Sequence, residues 1–462
     1  MIMKKMISLT KALELSREEN NKYYKDYVNP ALGKIYNLLN FDKKYIKADG
    51  CKVWDDEGNS YLDFLGAFGA LNFGHNPPGI YEAMDKVRGK PILLQASMGV
   101  ITGAAARNLS KLIPGNLTNT FFCNSGAEAV EGAIKLARAA SGKEKIIYCQ
   151  GSFHGKTMGA LSLTGRKKYQ RPFKPLVGAT EHVPFGQTDN LEYKFKNGNV
   201  AAFIVEPIQG EGGIIIPPRG YLKKVRELCN KYNTYLILDE IQTGFGRTGK
   251  NFACEHDNIE PDIITLAKSL GGGVMPVGAF VSKGKIWNKA YGSVDTALLH
   301  SSTFGGNTLS CAAVIAATNQ LQDLDLSREA AEKGKYLLDR LKEMEEKYEL
   351  IKQVRGRGLM IGIEFEQPTK GLLDKISRGM VTKLSYEYLG AMIAGSLLSD
   401  YSIITAYTLN NPNVIRLEPP LIISYEELDY LIKALDKIFN DNNGFMDVTL
   451  KSTRTIIGKY FK

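Results

Sequence analysis

From about Asn119 to Ser282, short apolar runs alternate with helical patterns, and no other feature constrains the fold of this chain so strongly. The runs are T-F-F-C, K-I-I-Y-C, A-A-F-I-V, Y-L-I-L, D-I-I-T-L-A and V-G-A-F-V-S, with helical stretches after Ser125 and around Tyr221 to Tyr232. They are rich in β-branched and aromatic residues and alternate little with polar ones. Strands of that kind are buried on both faces, which predicts a mostly parallel sheet covered by helices, an α/β domain.

Outside that region the pattern changes. C-K-V-W-D-D-E-G-N-S-Y-L-D-F reads as a hairpin turning at E-G-N. After Leu309 a helical pattern runs through Ser327 to Tyr348, followed by the strand G-L-M-I-G-I-E-F. N-V-I-R-L-E-P-P-L-I-I-S and Y-E-E-L-D-Y-L-I-K-A-L-D-K-I-F then read as strand and amphipathic helix, a smaller α+β domain. The expected division is a helical segment over 1–45, the first part of the small domain over 46–95 and a large domain over 96–330. The second part of the small domain follows over 331–445, and a basic tail over 446–462.

Composition excludes some functions. A formal charge of +10 would suit nucleic acid, but Lys and Arg are scattered and no basic block is interleaved with aromatics, so no nucleic-acid partner is expected. The six cysteines form no C-x-x-C pair and no Cys/His cluster with zinc spacing, so buried thiols and no metal site are expected. M-I-M-K-K-M-I-S-L-T-K lacks an apolar h-region, and no apolar run is long enough to span a bilayer. A cytoplasmic location with no membrane partner is the expectation.

Y-L-I-L-D-E-I-Q-T-G-F-G-R-T-G, from Tyr235 to Gly249, drives a buried strand straight into Asp239 and Glu240. A buried carboxylate needs a partner or it protonates. Two nucleotide readings fail here. G-F-G-R-T-G matches a dinucleotide fingerprint, but Lys250 to Asp262 has no helical period and contains Pro261. G-S-F-H-G-K-T resembles a P-loop, but only Ser152, Phe153 and His154 separate its glycines where four residues are needed.

C-N-S-G-A-E-A-V-E-G-A-I-K-L-A-R-A-A follows a strand and opens a helix with Val130, Ala133, Ile134 and Ala137 on its apolar stripe. Ser125 and Glu128 have the spacing of a capping box. Gly126 also lets the amides of Ser125 to Ala127 converge on a phosphate at the positive helix end. Lys268, in D-I-I-T-L-A-K-S-L-G-G-G, lies one strand beyond Asp239. A carboxylate for a ring nitrogen, a lysine for an aldehyde and a helix start for a phosphate together describe the needs of pyridoxal 5'-phosphate (PLP).

With these motifs in view the chain resembles the class III (ω-amino group) aminotransferases, PLP enzymes of fold type I, from about Lys52 to Phe439. The resemblance rests on F-F-C-N-S-G-A-E-A-V-E, S-F-H-G-K-T-M-G-A-L-S, V-E-P-I-Q-G-E-G-G, L-D-E-I-Q-T-G-F-G-R-T-G, L-A-K-S-L-G-G-G and H-S-S-T-F-G-G-N. L-G-A-F-G-A-L-N-F-G-H, F-A-C-E-H, G-G-G-V-M-P-V-G-A and I-R-L-E-P-P-L are most similar to the putrescine-using branch. It implies a large domain with a central sheet and a small domain built from both chain ends.

The resemblance also implies residue roles. Lys268 bonds the cofactor and then shuttles the substrate proton. Asp239 pairs with the ring nitrogen, Gln242 faces the ring hydroxyl, and Phe153 stacks on the ring with His154 beside it. Ser125, Gly126 and Ala127 hold the phosphate; Ala127 stands where many relatives carry Thr, so one hydroxyl contact is missing. Thr303 reaches the phosphate of the neighbouring subunit, making a homodimer with shared sites. Glu206 and Glu211 lie near the substrate, and Arg416 grips the carboxylate of 2-oxoglutarate with Glu211 as its alternative partner.

A donor with its own carboxylate would need a further cation, and between Leu62 and Ala106 the arginine candidate is Arg88, in a solvent-facing pattern. The expected donor is therefore a diamine, putrescine or cadaverine, with Gln95 touching its distal amine, and the acceptor is a 2-oxo acid. Ornithine, acetylornithine and 4-aminobutyrate transfer are the alternatives.

Overall fold

The computed structural model describes residues 6–38, 41–94, 96–196, 198–366 and 380–441. Gln95 and the tail 446–462 lie outside them. At the centre is a seven-stranded sheet in the spatial order Leu117–Cys123, Gly278–Lys283, Ile263–Leu266, Tyr235–Asp239, Val200–Val205, Lys145–Cys149, Thr180–Val183. Gly278–Lys283 runs antiparallel to both its neighbours, and the other pairings are parallel.

The expected double burial holds. All six residues of Val200–Val205 and all four of Ile263–Leu266 are buried. Side chains alternate across the sheet, so Leu236 and Leu238 join the cluster that includes Leu109 and Val225, while Ile237 joins Val130 and Ile134 of the helix Gly126–Ser141 on the opposite face. The sequence reading missed Thr180–Val183. It is a polar edge strand, T-E-H-V, with one buried residue, and lacks the apolar signal of its neighbours.

Both chain ends build the smaller part. Lys52–Asp55 and Ser60–Asp63 form the expected hairpin, joined by Tyr45–Asp49 and, in parallel, by Ile403–Ile404 from far along the chain. A second sheet contains Ile351–Arg357, Met360–Phe365, Val414–Leu417 and Ala406–Tyr407. Helices Leu326–Lys347 and Tyr425–Asn440 pack on each other, and Met380–Tyr401, which no sequence signal announced, packs on both sheets. Three short helices, Leu9–Leu13, Arg17–Tyr27 and Pro30–Leu38, precede the hairpin. All six cysteines are buried free thiols, and no described helix is long and apolar enough to cross a membrane.

Candidate active site

The carboxyl ends of the central strands open into a cavity of about 1280 Å³ lined by Asp239, Lys268, Phe153, His154, Gln242 and Glu206, among others. Open parallel sheets place ligands at this end, because loops leaving adjacent strands diverge there. Asp239 closes its strand and is buried; its Oδ2 is 2.6 Å from His154 Nδ1, and its Oδ1 accepts from Thr265 Oγ1 at 3.1 Å and from Ile241 N at 3.2 Å. Burial works against a charge on His154, but the hydrogen bond and charge of Asp239 outweigh it, so its pKa is raised. His154 Nε2 is buried with no partner of its own.

Glu240, the second acid of the strand end, serves the fold. It accepts from Thr243 Oγ1 and from the amides of Ala253 and Cys254, and burial pushes its carboxyl up.

Lys268 follows the next strand in a left-handed backbone conformation, φ 51°. Its amine has no hydrogen-bond partner among the described residues, and burial holds it below the usual lysine range despite Glu418 and Glu211 nearby. A lysine in that state is poised to act as a nucleophile.

The helix Gly126–Ser141 begins at the cavity wall. Ser125 caps it by accepting from Glu128 N at 3.2 Å, but the reciprocal half of the expected box is absent. Glu128 reaches one residue further back, to Asn124 N and Nδ2, at 2.8 and 2.9 Å. The cap uses only an acceptor lone pair of Ser125, so its hydroxyl proton remains available to an anion. The first amides of the helix have no carbonyl one turn back.

Glu206 accepts from Phe153 N at 2.9 Å and Gly210 N at 3.1 Å, and burial pushes its carboxyl up to about 7. Gln242 donates its amide hydrogens to Phe68 O and Glu418 Oε2, which leaves its carbonyl oxygen for a ring hydroxyl. Arg416 is fully buried, 2.5 Å from Glu211 Oε2 and 3.3 Å from Glu418 Oε2; burial opposes its charge, and the two glutamates more than restore it. Its guanidinium lies 5.2 Å from the Phe68 ring centre. Phe68 rides a left-handed turn, Gly66–Gly69, pressed so close to the Arg416 strand that a Cβ on Gly66 would meet Glu418 O at 2.4 Å.

Thr303 is exposed and does not line the cavity of its own chain. Arg88 is exposed and paired with Asp85. Sequence reasoning searched for a carboxylate-binding cation in one segment and missed Lys156, which lines the cavity with its amine 5.4 Å from the Tyr169 ring centre and forms no ion pair among the described residues. It also missed the wall contributed by Pro30–Leu38. Lys156 stood in a quoted motif, S-F-H-G-K-T, and could have been weighed there.

These residues fit the cofactor that the sequence implied. The unpartnered Lys268 amine, the buried Asp239 and His154 pair with its orphaned Nε2, and the free helix amides all meet at one cavity.

The family described as Aminotransferase class-III matches residues 37–439. The aminotransferase PigE of Serratia sp. (strain ATCC 39006) is 36% identical over 468 residues, 94% of this chain; the chain spans 55% of that relative's length. The ornithine aminotransferase of Toxoplasma gondii, whose structure has partial occupancy of PLP at the active site, superposes with a TM-score of 0.81 at 32% identity, covering 93% of this chain and 96% of that one. The acetylornithine aminotransferase of Elizabethkingia anophelis superposes with a TM-score of 0.74 at 31% identity, covering 93% and 100%.

Proposed function

The chain belongs to the class-III aminotransferases, and from that premise we propose that it transfers the terminal amino group of an amine, putrescine or cadaverine among them, to 2-oxoglutarate. The products are an aldehyde, an aminoaldehyde where the donor is a diamine, and glutamate, released in turn by a ping-pong scheme. The cofactor is pyridoxal 5'-phosphate, which, when bound, supplies an aldehyde to carry the amino group and a ring that withdraws electrons from the substrate carbon.

Lys268 carries this reading. Its amine opens into the cavity without a hydrogen-bond partner among the described residues, and burial lowers its pKa, which favours the form that can bond the aldehyde and, once displaced by substrate, take and return the proton of the substrate carbon. Asp239, oriented by His154, holds the ring nitrogen protonated. Ser125, Gly126 and Ala127 bind the phosphate and Phe153 covers the ring. In a homodimer Thr303 serves the phosphate of the neighbouring subunit, which suits its distance from its own cavity.

Arg416 and Glu211 account for two dissimilar substrates in one pocket. With an uncharged-tail amine the pair stays closed. With 2-oxoglutarate Glu211 swings away and the planar guanidinium takes the carboxylate through two hydrogen bonds. A donor with its own carboxylate, as in ornithine or 4-aminobutyrate, is the second reading, and Lys156 in the cavity favours it.

The experiment is a visible spectrum of purified holoenzyme with putrescine and no oxo acid. A yellow band that bleaches and returns with 2-oxoglutarate is expected; a yellow band untouched by putrescine but bleached by ornithine selects the second reading. Arg416→Lys should block the return with 2-oxoglutarate while sparing the bleaching, and an intact return would refute the assignment of Arg416.

A further inference from the structure

The cavity that holds Lys268 continues past the reaction centre to a wall of Leu32, Ile35 and Tyr36 from the helix Pro30–Leu38, with Phe41 and Leu398 beside them. None of these carries a charge. The carboxylates that line the cavity are Asp239, Glu206 and Glu211, and each is engaged: with His154, with the amides of Phe153 and Gly210, and with Arg416. A second ammonium at the far end of a diamine therefore has no free carboxylate to meet, whereas a methylene chain can lie against the helix.

We infer that the preferred donor is a primary amine with a long, uncharged aliphatic tail, seated along Pro30–Leu38. This rests on the reading of Lys268 as the residue that exchanges with a primary amine, and deepens it by naming the substrate class. Two observations carry it. The wall is apolar and continuous with the reaction centre. No unengaged acid lines the cavity to make a cationic tail preferable, and Lys156, which an anionic tail would need, lies over the Tyr169 ring.

The test compares butylamine, hexylamine, octylamine and putrescine as donors to the holoenzyme, read as the amine concentration that bleaches the cofactor and as kcat/KM with 2-oxoglutarate. Each methylene buried against the wall should raise kcat/KM about fourfold, the equivalent of ~0.8 kcal/mol, so octylamine should exceed butylamine by roughly two-hundredfold and should also exceed putrescine. Ile35→Asp and the milder Ile35→Ser should flatten that slope. A second readout needs no turnover: calorimetric titration of the holoenzyme with N,N-dimethyloctylamine should show a negative heat-capacity change that shrinks in both variants. A flat or falling series with putrescine still bleaching the enzyme would overturn the tail and leave the transfer reaction standing. Bleaching by no amine at all would overturn the donor reading and the tail with it.

Discussion

Glu206 lies buried beside the His154 and Asp239 pair with its carboxyl pushed up from 4.5 to about 7. In the unfolded chain it ionises near pH 4.5, in the folded chain only near 7, so between those values the folded state holds an extra proton. The stability from this group is thus complete below about pH 4.5 and is lost as pH rises through about 7, on the order of 3 kcal/mol. Unfolding of cofactor-free protein from pH 5 to 8 should show a decline that Glu206→Gln removes; parallel curves for the two would exclude Glu206 as its source. Asp239 and Lys268 were legible because each follows an apolar strand directly. The His154 bond to Asp239 was not, since 85 residues separate them and only the order of strands in the sheet makes them neighbours. Lys156 escaped for a different reason: an exposed lysine looks the same in sequence whether it faces solvent or a substrate.

At the scale of elements, the start of the helix Gly126–Ser141 is seated against the antiparallel strand Gly278–Lys283. A Cβ on Gly278 would lie 2.2 Å from Ser125 O and 3.0 Å from Cys123 Sγ, so Gly278→Ala must move the cap or the strand. A loss of about 1–3 kcal/mol is expected, together with weaker cofactor binding, measured by thermal unfolding and by cofactor titration of the apoprotein. Unchanged cofactor affinity would show that the helix start tolerates the shift. The apolar runs of the central sheet were readable because strands buried on both faces must be apolar throughout. Thr180–Val183 and the two-residue strands Ile403–Ile404 and Ala406–Tyr407 were not, because edges and very short pairings impose almost no composition.

For the whole molecule, the proposed exchange of Thr303 between subunits can be tested by complementation. When Lys268→Ala and Thr303→Ala homodimers are mixed and allowed to exchange subunits, half of the dimers are hybrids, each with one site carrying neither defect. About one quarter of wild-type activity should return at limiting cofactor. No recovery above the unmixed variants would place Thr303 in its own subunit's site or in none. The sequence by itself determined the α/β core and the placing of Asp239, Lys268 and the helix after Ser125 at strand ends, because buried strands and strand-end charges are local demands written in consecutive residues. Only the tertiary structure decided that Ile403–Ile404 pairs with Ser60–Asp63 and that Pro30–Leu38 walls the cavity. Those neighbours are brought together by chain crossovers spanning hundreds of residues, and no local propensity encodes them.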